Sequence, residues 1–361
     1  MGKKIIFLAD SISTQRAGIH YYGKQLIHKI ISQYPQHDYS LVASEKIEEF
    51  DFDQHIIPIK RGIPQHLRIR QLTSIPKKVN SLEADIVIEL AHFGPFGLSE
   101  KTKKVTVIHD LSPISHPQHH GIPSQMVQKT SLPKIIDNAD HIITNSAFTK
   151  KEIINRYQKD ENAIDVVYPD LNQPDSTTDL GVLQNRYHIN QPYFIVSGTI
   201  EPRKNHITIL KAFEHFQKSG IPMQLVIAGQ TGWKNSSFFK SLKKIKRKDR
   251  IVLTGYVSRE DLWGLYRYAL AFISASHFEG FGIPIIEAMS NHLPLIIANN
   301  SSQKEVVGDS ALLFQAVDIA VLSKHMDAVS SDESLRKELI IKGDHRLEQI
   351  SQQKFSLAYL D

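Results

Sequence analysis

Two carboxylates with a glycine-rich turn between them are the residues of this chain best suited to chemistry. Glu279 and Glu287 stand eight positions apart, after an apolar run typical of a buried strand (270–273) and around the start of a predicted helix (283–291). Pro284 suits the first turn of that helix, where its missing N–H costs nothing. Free N–H groups and the positive end of the helix dipole meet at such a terminus and attract phosphate. The sequence therefore predicts an anion site whose contacts come from Gly280, Phe281, Gly282 and Ile283.

A basic turn lies about 75 residues earlier, after the apolar run 193–197. Gly198 opens this turn, and Arg203 and Lys204 stand just before the next predicted helix. Two cations at a helix N-terminus are unfavourable unless an anion lies between them, because the dipole is positive there too. A pyrophosphate would accept charge-assisted hydrogen bonds from both side chains and from the amides of the downstream turn. The alternative is an ordinary solvated basic turn.

The two segments together resemble two motifs of the retaining group 1 (family 4) glycosyltransferases, the Glu-x7-Glu signature and the basic donor-phosphate motif. These enzymes move a sugar from a nucleotide diphosphate donor to a hydroxyl acceptor. Both motifs occur here in the family's order, each between a predicted strand and a predicted helix. The resemblance covers nearly the whole chain and is strongest over residues 193–314. It implies the two-domain GT-B fold.

The resemblance also implies roles for individual residues. The basic pair binds the diphosphate, Glu287 accepts hydrogen bonds from ribose hydroxyls, and Glu279 meets hydroxyls of the donor sugar. A helix-terminal carboxylate that stabilises the dipole is the alternative for Glu279. Tyr256 and Val257, after the apolar run 251–253, resemble the family's base-binding loop but do not identify the base.

Two segments of the first half complete the predicted site. His109 follows the apolar run 105–108, and with Asp110 it resembles the His-Asp element whose histidine lies close to the transferred sugar. The chain has 18 histidines, so a purely structural histidine is the alternative. Relatives carry a Gly-Gly pair at the start of a helix where this chain has Ala17 and Gly18, which leaves Gly18 as the donor contact. The predicted catalytic residues are His109, Arg203, Lys204 and Glu279.

Transfer with retention requires attack on the face from which the nucleotide leaves. A double displacement would need a carboxylate nucleophile below the anomeric carbon, and neither glutamate of the signature suits that role. The resemblance instead implies front-face substitution through an oxocarbenium-like state, with the leaving diphosphate taking the acceptor's proton. Cations and helix amides would stabilise the diphosphate electrostatically. No metal and no cofactor other than the donor substrate is predicted.

Two groups of residues suggest a metal, and neither is predicted to hold one. His116, His119 and His120 lack regular ligand spacing. Asp51 and Asp53 have the Asp-x-Asp form that holds a metal in another glycosyltransferase fold, but they lie in an acidic stretch away from any predicted strand end. We interpret that stretch as a surface loop.

Composition bounds the class of protein. At 361 residues, with 41% hydrophobic and 22% charged residues, the chain is long enough for two globular domains. A net charge of +5 favours anionic partners. The absence of cysteine excludes disulfides and Cys-ligated zinc and fits a reducing compartment. No long apolar run predicts a transmembrane helix, and the short apolar run 5–9 predicts a first strand rather than a signal peptide.

Short apolar runs alternate with helix-length amphipathic stretches, which predicts parallel strands covered on both faces. Strands are predicted at 5–9, 39–43, 86–90, 105–108, 141–144, 164–167, 193–197, 224–228, 251–253, 271–274, 295–298 and 311–314. Helices are predicted at 19–33, 123–138, 147–157, 207–218, 261–268 and 283–291, with two more after Asp318. The predicted fold is α/β, with two doubly wound Rossmann-like domains facing across a cleft. The predicted boundaries are an acceptor-side domain at 1–172, a linker at 173–191, a nucleotide-sugar domain at 192–345 and a C-terminal tail or helix at 346–361.

Basic residues cluster in two stretches. The denser one runs from Lys240 to Arg250, with a partial apolar face formed by Phe238, Phe239, Leu242 and Ile245. The other, in the first half, consists of Lys60, Arg61, Arg68, Arg70, Lys77 and Lys78. Basic residues near anionic lipid gain about 1 kcal/mol each, so a cytoplasmic protein with peripheral contact to the inner membrane face is one hypothesis. An ordinary helix packed on the second sheet is the alternative for the denser stretch. Dispersed charge and the lack of a recognition motif argue against nucleic acid.

The resemblance leaves the substrates open. The His-Asp-Leu-Ser-Pro run at 109–113 and the basic turn look most like mannosyltransferase relatives, which favours GDP-mannose ahead of UDP-sugars. The expected acceptor is a glycan or lipid-linked oligosaccharide of O-antigen, capsule or exopolysaccharide synthesis. A nucleotide-sugar-binding scaffold without transfer activity, an epimerase and a phosphorylase remain the competing interpretations.

Overall fold

The computed structural model describes residues 2–14, 18–60, 66–119 and 122–360. The chain forms two compact units. Unit 1 comprises Met1–Asp170 together with Lys354–Asp361, and unit 2 comprises Leu171–Gln353. In the part of the chain that the structure describes, no helix is both long and apolar enough to span a bilayer.

Unit 1 is built on a seven-stranded sheet in the order β3-β2-β1-β4-β5-β6-β7, and every neighbouring pair is parallel. Its strands are β1 (Lys4–Leu8), β2 (Asp38–Ala43), β3 (Asp53–Ile56), β4 (Ile86–Glu89), β5 (Lys103–Ile108), β6 (His141–Thr144) and β7 (Ile164–Val166). Its helices are α1 (Asp10–Thr14), α2 (Gly18–Gln33), α3 (His66–Leu72), α4 (Ser74–Ser81), α5 (Ser112–Ser115), α6 (Ile122–Asn138) and α7 (Ala147–Tyr157).

Unit 2 is built on a six-stranded parallel sheet in the order β10-β9-β8-β11-β12-β13. Its strands are β8 (Tyr193–Ser197), β9 (Gln224–Ala228), β10 (Ile251–Gly255), β11 (Ala271–Ser274), β12 (Leu295–Ala298) and β13 (Ala311–Phe314). Its helices are α8 (Leu180–Tyr187), α9 (His206–Phe216), α10 (Ser236–Lys244), α11 (Arg259–Arg267), α12 (Ile283–Ser290), α13 (Ser301–Val307), α14 (Ile319–Ser331) and α15 (Glu333–Ser351).

The predicted fold class of two doubly wound α/β domains is confirmed. Most residues of the inner strands are apolar and buried, because helices cover both faces of each sheet. In β8 and β9 every residue is buried. Side chains at helix starts satisfy free backbone amides, and the Ser258 hydroxyl that accepts from the Asp261 amide at 3.1 Å is one case. Each sheet reverses its strand order once, between β1 and β4 in unit 1 and between β8 and β11 in unit 2.

Three of the interpretations and boundaries predicted above need correction. Asp53 is not in a surface loop, because it begins the edge strand β3, whose polar, half-exposed sequence lacks an apolar run. The predicted linker 173–191 contains helix α8, anchored by buried Leu183, and lies within unit 2. Unit 2 continues through α15 to Gln353, past the predicted end of the second domain at 345.

The last residues of the chain are part of the hydrophobic core of unit 1. Leu357, Tyr359 and Leu360 are buried among residues of β1, β2 and α2. The Leu357 amide donates to the Tyr34 hydroxyl at 2.8 Å, and the Lys3 ammonium donates to the Tyr359 carbonyl at 3.1 Å. The segment 354–360 therefore completes the first unit.

Several side chains of the two basic stretches are buried and do not form an exposed basic or apolar surface. The apolar residues of the denser stretch pack against the core of unit 2, so they do not form an exposed apolar face. In the other stretch, the Arg70 side chain is only 1% exposed and forms a bidentate ion pair with Asp10, with nitrogen–oxygen distances of 2.7 and 3.2 Å. Arg61 lies outside the described residues.

Candidate active site

The predicted donor residues meet where the sheet of unit 2 reverses its strand order. The loop after β8 (198–205) and the loop after β11 (275–282) leave neighbouring strands at this switch point, the usual ligand position in doubly wound sheets. Two hydrogen bonds join the loops: the His277 amide donates to the Arg203 carbonyl at 2.8 Å, and the Asn205 side-chain amide donates to the Ala275 carbonyl at 3.1 Å.

Arg203, Lys204 and Glu279 form one ion-paired cluster. Arg203 Nη1 donates to Glu279 Oε2 at 2.7 Å, and Lys204 Nζ donates to Glu279 Oε1 at 2.7 Å. The two predicted cations are therefore close together, and the anion between them in this structure is the Glu279 carboxylate. All three side chains are largely buried.

Two residues that sequence reasoning missed complete the cluster. Ser276 Oγ donates to Glu279 Oε1 at 2.7 Å, and Glu201 Oε1 accepts from Arg203 Nη2 at 2.8 Å. Glu201 lies inside the basic turn, where an acid two positions before Arg203 is a signal that could have been used. Ser276 becomes recognisable only once the loop folds back on itself.

Burial alone would raise the pKa of Glu279, but Arg203 and Lys204 lower it to about 2. Burial raises the pKa of Glu201, and Arg203 opposes that rise. Glu279 is thus ionised at neutral pH, and its charge is balanced by two cations. A second anion at this point would share the guanidinium and the ammonium with it.

Glycine is required at two positions of these loops. Gly198 has φ of +122°, and a β-carbon there would lie 3.3 Å from Lys204 Cε. Gly282 has φ of +101° at the start of α12. Its left-handed backbone lets the loop turn directly into the helix, with Pro284 in the first turn. Gly280 and Phe281 are buried before it, and the Ser302 hydroxyl donates to the Phe281 carbonyl at 3.1 Å.

Glu287 lies on α12, away from that cluster, and is held by residues of α11. Its Oε1 accepts from Arg259 Nη1 at 2.6 Å, and its Oε2 accepts from the Tyr266 hydroxyl at 3.3 Å. The Tyr266 hydroxyl also lies 2.7 Å from Ser197 Oγ at the end of β8. The sequence analysis did not identify either partner, because Arg259 and Tyr266 lie 28 and 21 positions before Glu287 in the chain.

The predicted base-binding residues lie after the edge strand β10, two strands from β8. Tyr256 is 80% exposed, and Val257 is half-buried. Neither side chain has a contact with the ion-paired cluster among the described residues. The same loop leads into Arg259, so it approaches Glu287 rather than Glu279.

In unit 1, His109 lies at the carboxyl end of β5 and is only 5% exposed. Its Nε2 lies 2.8 Å from the Leu90 carbonyl, and the Tyr22 ring packs edge-on against it at 5.4 Å. Burial, together with the nearby His92, lowers the pKa of His109 to about 4. The ring is therefore neutral at pH 7. Because a carbonyl only accepts, Nε2 carries the proton and Nδ1 is the acceptor.

The structure gives fewer contacts for the other residues predicted in the first half of the chain. Gly18 is exposed and begins α2, whereas Ala17 lies outside the described residues. His116 and His119 stack with ring centroids 6.2 Å apart, and His120 lies outside the described residues. Within the described ranges, no three His, Asp or Glu side chains are grouped in a way that could hold a metal ion.

Two family models match the chain. Residues 33–169 match "Glycosyltransferase Family 4", and residues 184–346 match "Glycosyl transferases group 1". The second match contains both the basic turn and the paired glutamates. The chain belongs to the group 1, family 4 glycosyltransferases. The family resemblance of the two motifs is thereby confirmed.

Individual proteins are similar to this glycosyltransferase over most of its length. It is 28% identical over 371 residues to the "O-antigen chain mannosyltransferase B" of Escherichia coli, with 96% of each chain covered. A glycosyltransferase structure from Rickettsia africae has a TM-score of 0.71 at 16% identity, covering 99% of this chain and 96% of that one. Anabaena HepE, solved in complex with UDP and glucose, has a TM-score of 0.70 at 16% identity, covering 97% and 95%. These likenesses support the GT-B fold.

Proposed function

We propose that this glycosyltransferase moves a hexose from a nucleotide diphosphate sugar to a hydroxyl of a glycan or lipid-linked oligosaccharide. The transfer belongs to surface polysaccharide synthesis and proceeds with retention and without a metal. GDP-mannose is the proposed donor. The observation that carries the proposal is the Arg203–Glu279–Lys204 cluster at the switch point of unit 2.

The cluster suits a donor diphosphate for an electrostatic reason. Arg203 and Lys204 are cationic groups on largely buried side chains, and such partly desolvated cations stabilise developing negative charge strongly. Amides at the start of α12 add neutral donors without bringing further charge. Glu279 orients both cations, and one lone pair of its Oε2 remains to accept from a hydroxyl of the sugar.

Retention by front-face substitution is supported by the surroundings of Glu279. Its Oε1 accepts from Lys204 and Ser276, and its Oε2 accepts from Arg203. A carboxylate so engaged, with a pKa of about 2, is a weak nucleophile. In the proposed mechanism the leaving diphosphate takes the acceptor's proton, while His109 contacts the transferred sugar through neutral Nδ1.

Charge balance supports transfer without a metal. In the proposed mechanism, Arg203 and Lys204 neutralise the diphosphate in place of a divalent ion. A metal ion would have to compete with them for the Glu279 and Glu201 carboxylates. Activity that persists in EDTA is therefore expected.

The donor and acceptor proposals rest on named relatives. The Escherichia coli relative is described as an O-antigen chain mannosyltransferase, which supports mannose as the sugar and an O-antigen-like glycan as the acceptor. UDP-glucose is the alternative donor, because Anabaena HepE was solved in complex with it. Glu287 is proposed to bind the ribose hydroxyls common to both donors.

A cytoplasmic location with peripheral attachment to the inner membrane face is part of the proposal. Because the apolar side of α10 packs on the core, the attachment would be electrostatic, through Lys240, Lys243, Lys244, Lys246 and Lys248. Sedimentation with phosphatidylglycerol vesicles at low salt is the test, with neutral vesicles as the control. Equal recovery of protein in both pellets would rule the attachment out.

The decisive test of the donor site is calorimetric titration with GDP, UDP, GDP-mannose and UDP-glucose, with and without EDTA. We expect GDP to bind in both conditions, and Lys204→Ala to weaken the binding at least tenfold. Lys211→Ala is the matched control, since Lys211 is exposed on α9 and has no ion pair among the described residues. Preference for UDP would replace the proposed donor by the alternative.

Transfer itself is tested by the anomeric configuration of the product, read by proton NMR. An α-configured product from GDP-mannose supports retention, and a β-configured product overturns it. Tight nucleotide binding with no transfer to any mannose-containing acceptor oligosaccharide would favour the non-catalytic scaffold.

A further inference from the structure

Glu89 is a buried carboxyl group that the proposed reaction does not use. It ends β4 and is 7% exposed. Its Oε1 accepts from the Ala91 amide at 2.9 Å, and its Oε2 accepts from the Phe93 amide at 2.8 Å. No ion pair reaches it in the part of unit 1 that the structure describes. Burying a carboxyl group without a cation costs free energy, so its presence calls for a physical reason.

The two hydrogen bonds shape a short loop that begins directly after Glu89. Within this loop, His92 adopts φ of 53°, in the left-handed region that disfavours ordinary side chains. The bond from the Phe93 amide fixes the backbone immediately after that residue. The carboxyl group thereby holds the loop in a conformation that it would not prefer by itself.

The same loop carries the atom that orients His109. Leu90 lies between Glu89 and the first bonded amide, and its carbonyl oxygen is 2.8 Å from His109 Nε2. On another side of the ring, Tyr22 is fixed by its hydroxyl, which donates to the Val167 carbonyl at 2.7 Å. The tautomer of His109 therefore depends on where the Leu90 carbonyl points.

Only a glutamate fits this arrangement. The two amides need two adjacent acceptor oxygens, and each oxygen of a carboxyl group keeps a lone pair in either protonation state. A glutamine offers one oxygen, and its NH₂ group would face the second amide. An aspartate has the same two oxygens, but it is one methylene shorter and would not bring them to the same two amides.

We infer that Glu89 is a positioning residue, which fixes the loop at 90–93 and through it the orientation and tautomer of His109. The inference deepens the proposed function, because it rests on the proposed role of His109 in the reaction. It assigns Glu89 no contact with a substrate.

The first readout is the ¹⁵N NMR spectrum of the full-length protein labelled at histidine. The His109 signals are assigned by their loss in His109→Gln. In the wild type we expect a protonated Nε2 and an unprotonated Nδ1. In Glu89→Gln we expect the shifts to move towards a mixture of tautomers. A merely structural role for Glu89 would leave this signature unchanged.

The second readout is steady-state kinetics. Because Glu89 acts through His109, Glu89→Gln should lower kcat by up to about tenfold, the loss expected when the ring itself is removed. The Kd for GDP should stay within about twofold, because the donor-phosphate cluster belongs to unit 2. Glu89→Asp keeps the carboxyl group but shortens the side chain, so it should not restore the rate. Thr106→Val is the control for disturbance of the buried region, since its hydroxyl is 3.5 Å from Glu89 and only weakly bonded.

Unchanged His109 shifts together with unchanged kcat in folded Glu89→Gln would overturn the inference. If the variant unfolds, Glu89→Asp gives the same two readouts. The proposed role of His109 is judged separately by His109→Ala. Full activity in His109→Ala contradicts that role, whereas altered His109 shifts in Glu89→Gln still support positioning by Glu89.

Discussion

At the switch point of unit 2, Arg203, Lys204 and Glu279 are joined by ion pairs. By contrast, His109 and Glu89, at the carboxyl ends of β5 and β4 in unit 1, are buried and have no ion pair among the described residues. Glu279 has a pKa of about 2 beside two cations. His109 has a pKa of about 4, and burial raises the pKa of Glu89 to about 8. At pH 7 the same kind of residue, glutamate, is therefore ionised in one sheet and protonated in the other.

This difference follows from what surrounds each glutamate rather than from its depth, because both are nearly inaccessible to water. Unit 2 brings Arg203 and Lys204 to one carboxylate, which suits the charge that develops on a leaving diphosphate. Unit 1 supplies neutral backbone amides and a neutral imidazole, which suit hydroxyl groups. The proposed division of the reaction, with charge in one unit and uncharged recognition in the other, rests on this contrast.

The largest effect is expected for the charged cluster. Lys204→Ala and Glu279→Ala should each lower turnover at least about 100-fold, because losing one preorganised electrostatic group typically costs about 3 kcal/mol. Release of nucleotide diphosphate measures the rate, and thermal unfolding checks that each variant folds. Lys211→Ala should keep its rate within twofold. Near-normal turnover in either cluster variant would remove the proposed importance of the charge in unit 2.

A smaller effect is expected for the neutral site. His109→Ala should lower kcat roughly tenfold, since a single hydrogen bond to a neutral ring contributes about 1 kcal/mol. Because the ring's pKa is about 4, the wild-type rate should not depend on His109 protonation between pH 5.5 and 8. His28→Ala, an exposed histidine of the same unit, is the control. A rate loss as large as that of Lys204→Ala would erase the contrast between the two sites.

Glu287 should affect binding and not the rate. Glu287→Gln is expected to raise the Kd for GDP about tenfold, because a hydrogen bond to a charged group contributes 1.5–3 kcal/mol. GDP that lacks the 2′ and 3′ hydroxyls should bind the wild type about as weakly. Glu287→Gln should bind GDP and the nucleotide without ribose hydroxyls equally well. The four Kd values then form a double cycle that gives the coupling free energy between Glu287 and the ribose hydroxyls. Equal discrimination by both proteins would place the ribose elsewhere.

The opposite pKa shifts predict opposite effects of pH on stability. The pKa of Glu89 is raised from 4.5 to about 8 on folding, so its contribution is full below pH 4.5 and is lost as the pH rises through 8. The pKa of Glu279 is lowered to about 2, so its contribution is full above pH 4.5 and is lost as the pH falls through 2.

Each unit can be followed separately, because the chain's two tryptophans, Trp233 and Trp263, both lie in unit 2. Tryptophan fluorescence therefore reports the unfolding of unit 2, in which the effect of Glu279→Gln is measured. Amide hydrogen exchange of β4 reports the stability of unit 1, in which the effect of Glu89→Gln is measured. The stability of the wild type relative to Glu89→Gln should fall by on the order of 4 kcal/mol between pH 5 and 9. A parallel response of the exposed control Glu100→Gln would contradict the assignment.

Local sequence patterns predicted those parts of the fold and site that depend on local physics. The apolar runs predicted every central strand, because a parallel strand covered on both faces needs nearly every side chain to be apolar. Arg203, Lys204 and Glu279 were predicted to lie near one ligand, and the structure brings them together. Their shared role in donor binding stays a prediction.

The missed features depend on contacts between distant segments. Arg259 and Tyr266 reach Glu287 only after α11 and α12 pack, so their sequence positions carry no local signal. The edge strand β3 is polar because one of its sides lacks a neighbour. Glu89 did carry a signal, a lone acid within an apolar strand, but its meaning depends on two backbone amides that the sequence does not reveal.

The burial of the segment 354–360 in the core of unit 1 has a consequence for synthesis. A chain emerging from the ribosome exposes its N-terminal part first, and domains generally fold in that order. Here the N-terminal sheet lacks Leu357, Tyr359 and Leu360 until the segment 354–360 has been made, and by then all of unit 2 has been synthesised. The nascent N-terminal unit must wait with an open apolar surface beside Tyr34 and β2. The unit that is made first is thus the last to be finished, and its exposed surface is a place for chaperones to bind during translation.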